Sequence, residues 1–578
     1  MSVAHSNGHA DANDSVASYD VLIIGAGISG INAAYRLQDS APHKKFAILE
    51  STGEIGGTWA LFKYPGIRSD SDLATFGYAF KPWEGADIAD GQAIVEYVNK
   101  VADDAGIRKK TLFNHRVTGA DFSTPDREWT VTASVNGTEK KIKAEFIFLA
   151  TGYYDYNEPL KVDIPGISNF KGDIVHPQFW DPKKVNYDNK RVVIIGSGAT
   201  AITLLPSMAP RTKSITMLQR SPSYVIALPK HDPFARIMRF FLPSALAFAI
   251  IRFKNICRIY ASYHLFRLLP AFARWFLRTE TKRALKGVVE TDPHFKPAYN
   301  PWDQRLCICP DGDFFTALRE RKANIVTAHI DQVVEDGIKL KDGRKLDADM
   351  IITATGLKIQ LGGGMVPTVD GKAVKMSDKY VWKGSMLEDV PNLLLAIGYI
   401  NASWTLGSDC TALFFCRMLK DMDKKRKIGA LAAGLVKDGE TLILDAGTTT
   451  TEIAMRLTNR RNLTLITNAL NIAIILGAVP TFAVHMPGGQ FKSPTLSLSG
   501  DKSVEYFSNI FAGKLFLATA GVDLEAGLTY SSFADLQLKE AMIKAAAHVY
   551  LVADSTKIGR SSFTRLGSLD VIQSLITD

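Results

Sequence analysis

The chain reads as an α/β protein in which two Rossmann-like dinucleotide-binding domains interleave around a helical insert, and three observations predict this. The first is DVLIIGAGISGINAAYRLQ from residue 20, where an aliphatic run ends in a glycine-spaced turn and continues into an amphipathic helical pattern. The second is its near copy RVVIIGSGATA at 191–201. The third is a repeated strand ending, FIFLATG at 146–152 and DMIITATGL at 349–357, which sets one nucleotide unit inside the other.

Taken in order, Gly25 permits the tight first turn, Gly27 lets the backbone approach a pyrophosphate, and Gly30 allows close helix–strand packing. Helix N-terminal amides are then aimed at the phosphates. Glu50 ends the next apolar strand, where an acid accepts from a ribose hydroxyl. Residues 51–72 carry Gly56, Gly57 and Pro65-Gly66 and read as an ordered loop near that nucleotide. Strand alternation follows at 129–135, and 146–152 closes the first unit. In the link at 153–190, FKGDIVHPQFWD (170–181) sets Gly172, His176 and Trp180 at four-residue intervals; on the residues alone, a His and a Trp in a loop support a structural role.

The second turn, at Gly196 and Gly198, leads to the strand SITMLQRS at 214–221, which ends in Arg220 rather than in an acid. An Arg about 20 residues past the glycines suits a ribose 2′-phosphate, which an acid repels, and this favours NADPH over NADH. The other reading of Arg220 is an exposed arginine at a strand end. Beyond a basic insert, residues 392–419 give a final strand, a loop and a helix that return the chain to the first domain.

At 578 residues and 46% hydrophobic composition, the chain is long enough for three or four domains with large cores. Cys257, Cys307, Cys309, Cys410 and Cys416 include no CxxC pair, so neither a zinc site nor a disulfide framework is indicated and a reducing cytosol fits. Residues 1–18 are polar, with neither a basic start nor an apolar core, and read as a disordered tail rather than a signal peptide. The net charge of +9 is local: residues 230–290 hold twelve Lys or Arg against three acids. The same stretch carries FFLPSALAFAII (240–251) and LFRLLPAFARWFL (265–277), apolar runs too short to span a bilayer. It is either a helical subdomain packing on the core or a surface that meets a membrane or a greasy substrate. Nucleic-acid binding is disfavoured, because the basic residues sit in this greasy insert.

With those pieces in place, residues 20 to about 420 resemble class B flavoprotein monooxygenases, the Baeyer-Villiger and flavin-containing monooxygenase group. FKGDIVHPQFWD matches the fingerprint FxGxxxHxxxW[PD] at Phe170, Gly172, His176, Trp180 and Asp181. GGTW, YPGIRSDSD, QRSPSY and NPWDQR place the similarity in the branch of the ethionamide-activating and long-chain alkane monooxygenases. The resemblance implies FAD on the first turn, with Glu50 on its ribose and Thr58, Trp59 and Asp70 lining the flavin; NADPH takes the second, with Arg220 on its phosphate. It implies that Arg305, tuned by Asp70, stabilises a C4a-peroxyflavin that inserts one oxygen atom of O2 into an apolar ketone, a long-chain compound or a soft N or S atom. Gln304 stands where many relatives carry a Lys, which shifts the phosphate preference onto Arg220.

From about Lys424 the pattern changes. DAGTTTTE, PGGQFKSPTLSLSG, GVDLEAGLT and LVADSTKIGRSSF resemble the effector-binding domain of DeoR-type repressors, which implies a ribose-phosphate-isomerase-like α/β fold. Relative to that pattern the domain is truncated, with no DNA-binding winged helix before it and the last strands missing. Asp445, Gly447, Thr448, Thr449 and Thr450 form a strand–turn–helix start that offers amides and hydroxyls to a phosphate, and Lys557 adds a positive charge. Thr448 alone reads equally well as a helix N-cap; the similarity favours a sugar-phosphate pocket. The expected organisation is a tail at 1–18, an FAD domain at 19–155 and 356–422, an NADPH domain at 156–229 and 291–355, the insert at 230–290, and the effector domain at 424–578. The activity of the chain is either that of the oxygenase or that of a sugar-phosphate sensor joined to an inactive or uncoupled flavoprotein.

Overall fold

Val21, Leu22, Ile23 and Ile24 are all buried in the strand Ser18–Ile24, as a continuous aliphatic run in a parallel strand covered on both faces should be. In the computed structural model, which describes residues 16–399, 401–533 and 536–578 and only the backbone of Pro494, this strand lies centrally in a parallel sheet. The order is Thr111–Leu112, Phe46–Leu49, Ser18–Ile24, Thr138–Leu149 and Leu393–Leu395. Glu128–Val135 and His115–Ser123 extend it antiparallel, and the alternating burial of Glu128–Val135 brings Trp129 and Val131 against Phe122 and Ile147. Of the expected tail, residues 1–15 lie outside the described residues; the sheet already engages Ala17, whose carbonyl accepts from the Lys143 amide at 2.9 Å.

A second parallel sheet runs Asn324–Thr327, Ser214–Gln219, Arg191–Ile195, Met350–Thr353 and Asp173–Val175. The chain therefore leaves the first sheet after Leu149, builds the second, and rejoins the first at Val366–Val369, which pairs with His115–Ser123, and again at Leu393. Trp404 and the residues after it pack back on the first glycine turn. The Trp404 indole donates to Ser29 Oγ at 2.9 Å, and Asp409 takes a two-point ion pair from Arg36 at 2.8 and 2.9 Å.

The insert is helical, in three pieces: Pro233–Phe241, Ser244–Leu268 and Pro270–Leu285. The apolar run at 240–251 is not one element, because Pro243 cannot continue a helix and the chain restarts after it. Ala235, Ala247, Phe248 and Ile251 pack with Ala74. Arg252 Nη1 donates to the carbonyls of Ala74 and Gly77 at 2.7 and 3.0 Å.

The chain divides into two compact units between Cys416 and Arg417, within the helix Trp404–Gly434. The second unit has its own parallel sheet, Ala483–His485, Thr464–Thr467, Thr441–Leu444, Ala512–Ala518, Ala546–Val552 and Ser574–Ile576. Beside it lies a small antiparallel sheet of Gly521–Asp523, Gly527–Tyr530 and Thr564–Gly567. Separate cores line the two faces of the parallel sheet, one with Leu442, Ile453 and Phe516 and the other with Ile443, Leu515 and Phe507.

Candidate functional site: two glycine turns and an arginine pair

The first glycine turn leaves its strand at Gly25 and enters the helix Ile28–Ser40 with Gly27 at the cap, where no side chain caps the helix. A Cβ on Gly30 would lie 1.9 Å from the Gly25 carbonyl oxygen, so only glycine lets the helix close on the turn. Glu50 is buried and holds the turn from behind: Oε2 accepts from the Ala26 amide at 2.7 Å and Oε1 from Thr52 N and Oγ1 at 2.8 and 2.9 Å. The carboxylate expected at a ribose is thus also a structural clamp. Gly57 packs beside Gly27, with a Cβ on it 3.0 Å from the Gly27 Cα, and opens the short helix Thr58–Leu61. Thr58 Oγ1 meets the Tyr156 hydroxyl at 2.7 Å, and Trp59 stands edge-on to Phe76. Gly25, Gly27, Gly30, Glu50, Thr58 and Trp59 therefore come together around one turn, joined by two residues the sequence did not single out, Tyr156 and Trp404.

Asp70 and Arg305 are 235 residues apart in sequence and form a fork: Nε reaches Oδ2 at 2.7 Å, Nη2 reaches Oδ1 at 3.0 Å, and Nη2 also donates to Ser71 Oγ at 3.0 Å. Two parallel contacts fix the guanidinium plane as well as its position. Both partners keep over a third of their side-chain surface exposed, so the pair faces accessible space rather than the core. A second pair from the same loop, Arg68 with Asp313, ties the 51–72 loop to the helix Asp313–Arg319. Sequence reasoning missed Arg68 and Ser71, although both lie in the quoted YPGIRSDSD. Burial pushes the thiol of neighbouring Cys307 up to about 12, so at neutral pH it adds no thiolate beside the arginine.

At the second turn, Gly196 follows the strand Arg191–Ile195 and Gly198 caps the helix Ala199–Met208; a Cβ on Gly198 would meet nothing within 4 Å. Ser197 Oγ donates to the Ser221 carbonyl at 2.8 Å, linking the turn to the residue after Arg220. Arg220 follows the strand Ser214–Gln219 and is exposed, as is Gln304. The fingerprint residues are placed otherwise. Phe170 is buried with Val193 and Ile351, and Trp180 is buried in the neighbouring cluster against Tyr187. Gly172 passes so close to the Asp349 carbonyl that a Cβ would sit 2.3 Å from its oxygen. His176 Nδ1 accepts from the Gln178 amide at 3.3 Å, and burial lowers its pKa against a hydrogen bond with the Gly356 backbone. Asp181 accepts from the Lys183 amide at 2.9 Å. These contacts all lie within the fold of this unit.

In the second unit, Gly447 and not Thr448 occupies the cap of the helix Thr448–Leu457. Thr448 is exposed, Thr449 and Thr450 are buried, and Thr450 Oγ1 donates to the Gly447 carbonyl at 2.8 Å. Asp445 lies behind the turn rather than on it. It is fully buried, accepts from the Ala446 and Ala518 amides at 2.7 and 3.0 Å, and pairs with buried Lys539. Sequence reasoning missed Lys539, because a lone lysine in an amphipathic helix reads as solvent-facing. Lys557 Nζ donates to the Thr519 carbonyl at 2.8 Å, and burial lowers its pKa.

Comparison with known proteins agrees with both halves. Residues 22–231 match the family described as pyridine nucleotide-disulphide oxidoreductase, and residues 420–578 match the DeoR C terminal sensor domain. The chain is 48% identical over 407 residues to the FAD-containing monooxygenase EthA of Mycolicibacterium smegmatis, covering 70% of this chain and 82% of that protein. It is 46% identical over 409 residues to the probable FAD-binding monooxygenase AlmA of Acinetobacter baylyi, with coverage of 70% and 82%. The fold is shared with OTEMO crystallised with FAD and NADP, at a TM-score of 0.57 and 23% identity over 71% of this chain and 86% of that one. It is also shared with cyclohexanone monooxygenase bound to epsilon-caprolactone, at a TM-score of 0.58 and 19% identity over 70% and 89%. No helix among the described residues is long and apolar enough to cross a membrane. With relatives this similar over most of their length, the chain belongs to the family of FAD-containing monooxygenases and carries a DeoR-type C-terminal sensor domain behind that enzyme half.

Proposed function

We propose that the chain is an FAD- and NADPH-dependent monooxygenase that places one oxygen atom from O2 into an apolar ketone, a long-chain compound or a soft N or S centre. The observation that carries this reading is the forked Arg305–Asp70 pair, supported by two uncapped glycine turns in one unit. The turns suit nucleotide cofactors on physical grounds. Gly27 and Gly57 leave a backbone cradle that side chains would fill, and Gly198 faces open space. FAD belongs with residues 19–155 and 356–422, and NADPH with 156–229 and 291–355. Bound FAD, reduced by NADPH, activates O2 for transfer. Arg305 supplies fixed positive charge for an oxyanion, and Asp70 and Ser71 hold its guanidinium in place beforehand. Thr58 and Trp59 line the flavin, Glu50 clamps the turn and its ribose, and Arg220 holds the NADPH 2′-phosphate.

The test is NADPH-dependent oxygen uptake with a panel of ketones and sulfides, followed by product analysis. Yellow protein, NADPH consumption and an oxygenated product support the reading; a colourless protein that cannot be reconstituted with FAD overturns it. A second reading concerns residues 424–578, where the turn after Asp445, with Thr448 exposed at the helix start, suits the phosphate of a phosphorylated sugar. Thermal stabilisation by sugar phosphates, accompanied by NADPH oxidation that yields only peroxide, favours a sensor joined to an uncoupled flavoprotein.

A further inference from the structure

The helical insert has two faces, and only the inner one is accounted for by packing. Ala235, Ala247, Phe248 and Ile251 are buried there, and polar contacts fix the register: Asn255 Nδ2 donates to Asp72 Oδ1 at 2.8 Å and Lys254 pairs with Asp232. The outer face leaves large apolar side chains in solvent, with Phe240 81%, Phe241 72%, Phe253 70%, Leu268 77% and Trp275 61% exposed. Leu246, Phe253, Tyr260 and Leu268 follow one another at intervals of seven or eight residues, which lines them along one side of the helix Ser244–Leu268 for roughly 33 Å. Around the hairpin turn, Leu265, Leu269 and Phe272 add to the patch. Scattered exposed apolar residues are ordinary, but this many large ones on three consecutive helices mark an interaction surface.

Charge selects the partner. Residues 233–286 hold eleven Lys or Arg against the single acid Glu280, and Arg236, Arg258, Arg267, Arg274, Arg278, Lys282 and others are exposed among the apolar residues. Aromatic and aliphatic side chains flanked by cations fit the interface of an anionic bilayer, where rings enter the headgroup boundary and basic side chains meet lipid phosphates. An open groove of about 450 Å³ lies at the edge of this surface, lined by Phe80, Phe248, Phe253 and Ile256 among others.

We propose that the outer face of residues 233–285 docks this protein on the surface of an anionic lipid bilayer, lying on the membrane rather than crossing it. This proposal does not depend on the enzymatic reading. Full-length protein is floated with vesicles of phosphatidylcholine alone and of equal parts phosphatidylcholine and phosphatidylglycerol, over a salt series. Co-flotation with the phosphatidylglycerol vesicles that weakens as salt rises is expected, with far less on phosphatidylcholine. The double variant F240S/F241S should partition at least about tenfold more weakly, and K282E/K286E several-fold more weakly at low ionic strength. Unchanged circular dichroism and melting temperature certify the variants, and the lipid and salt series on the unaltered chain needs no variant. Absence of flotation at low salt overturns the proposal, as does flotation indifferent to F240S/F241S. If lipid-free protein forms a concentration-dependent dimer that F240S/F241S abolishes, and vesicles do not bind, the face joins two copies of the chain instead.

Discussion

Arg305 meets Asp70 through two nitrogens and Ser71 through one of them, so its plane as well as its charge is set before any substrate arrives. A lysine keeps the charge and loses the fork. R305K should therefore lower oxygenated product roughly 10²- to 10³-fold while NADPH oxidation continues, released as peroxide; product formed per NADPH consumed is the measurement. D70N, which leaves Arg305 in place but loosens it, should fall between R305K and the parent protein, and an unchanged coupling ratio in both variants would remove Arg305 from the chemistry. Arg220 offers a cleaner discrimination, because only one of the two nicotinamide cofactors carries a 2′-phosphate. R220A should lower kcat/KM for NADPH by about ten- to a hundredfold, the value of one charge-assisted hydrogen bond, and leave NADH turnover as it was. At this scale the glycines, Glu50 and Arg220 were legible, because a turn, a close approach or a strand end demands a particular residue type within a short stretch. Arg305 was reached only through resemblance, and the Arg68–Asp313 and Asp445–Lys539 pairs were not reached at all. Their partners lie 245 and 94 residues apart, and no local periodicity announces such a pairing.

The elements that hold the fingerprint respond to volume and to protons. Gly172 lies against the Asp349 carbonyl where Asp173–Val175 joins Met350–Thr353, so G172A must push two strands apart. A loss of about 1–3 kcal/mol is expected, read from the denaturant midpoint, with the sheet otherwise intact. His176 is held near neutral by burial, and His294 by burial together with the positive charge of Arg344. In both cases the folded state binds its proton less readily than the unfolded chain, whose histidines titrate near pH 6.5. Their contribution is therefore fully present above that value and is lost as the pH falls through the lower folded pKa. The melting temperature of this unit should drop between pH 7 and pH 5, and H176N should flatten the slope. The element pattern itself was readable: both parallel sheets arise from aliphatic runs ending in glycine turns, and the interleaving from the repeated ATG endings. The sequence predicts a helical insert but shows 240–251 as one apolar run, since hydropathy there outweighs the stop that Pro243 imposes; which of its faces is left bare depends on packing with residues 74–77, nearly two hundred positions upstream.

At the scale of the whole molecule, the two units carry separate cores and separate sheets. A defect in one core should then leave the other standing. The Asp445–Lys539 pair is the place to test this, because both partners are buried and Asp445 also anchors the turn through the Ala446 and Ala518 amides. K539M removes the cation and strands the carboxylate, which should cost the second unit about 3–5 kcal/mol. D445N in the same chain removes the stranded charge and should recover part of that loss, a coupling that single substitutions cannot show. Calorimetry of the holoenzyme should resolve two transitions. K539M should lower one of them, D445N/K539M should bring it partway back, and the transition that releases flavin fluorescence should stay where it was. NADPH oxidation at a temperature between the two should then persist in K539M, since the Arg305–Asp70 fork and both glycine turns lie in the unit that has not melted. If both transitions move together, the two units unfold as one cooperative body, and the sensor half helps to hold the oxygenase half folded.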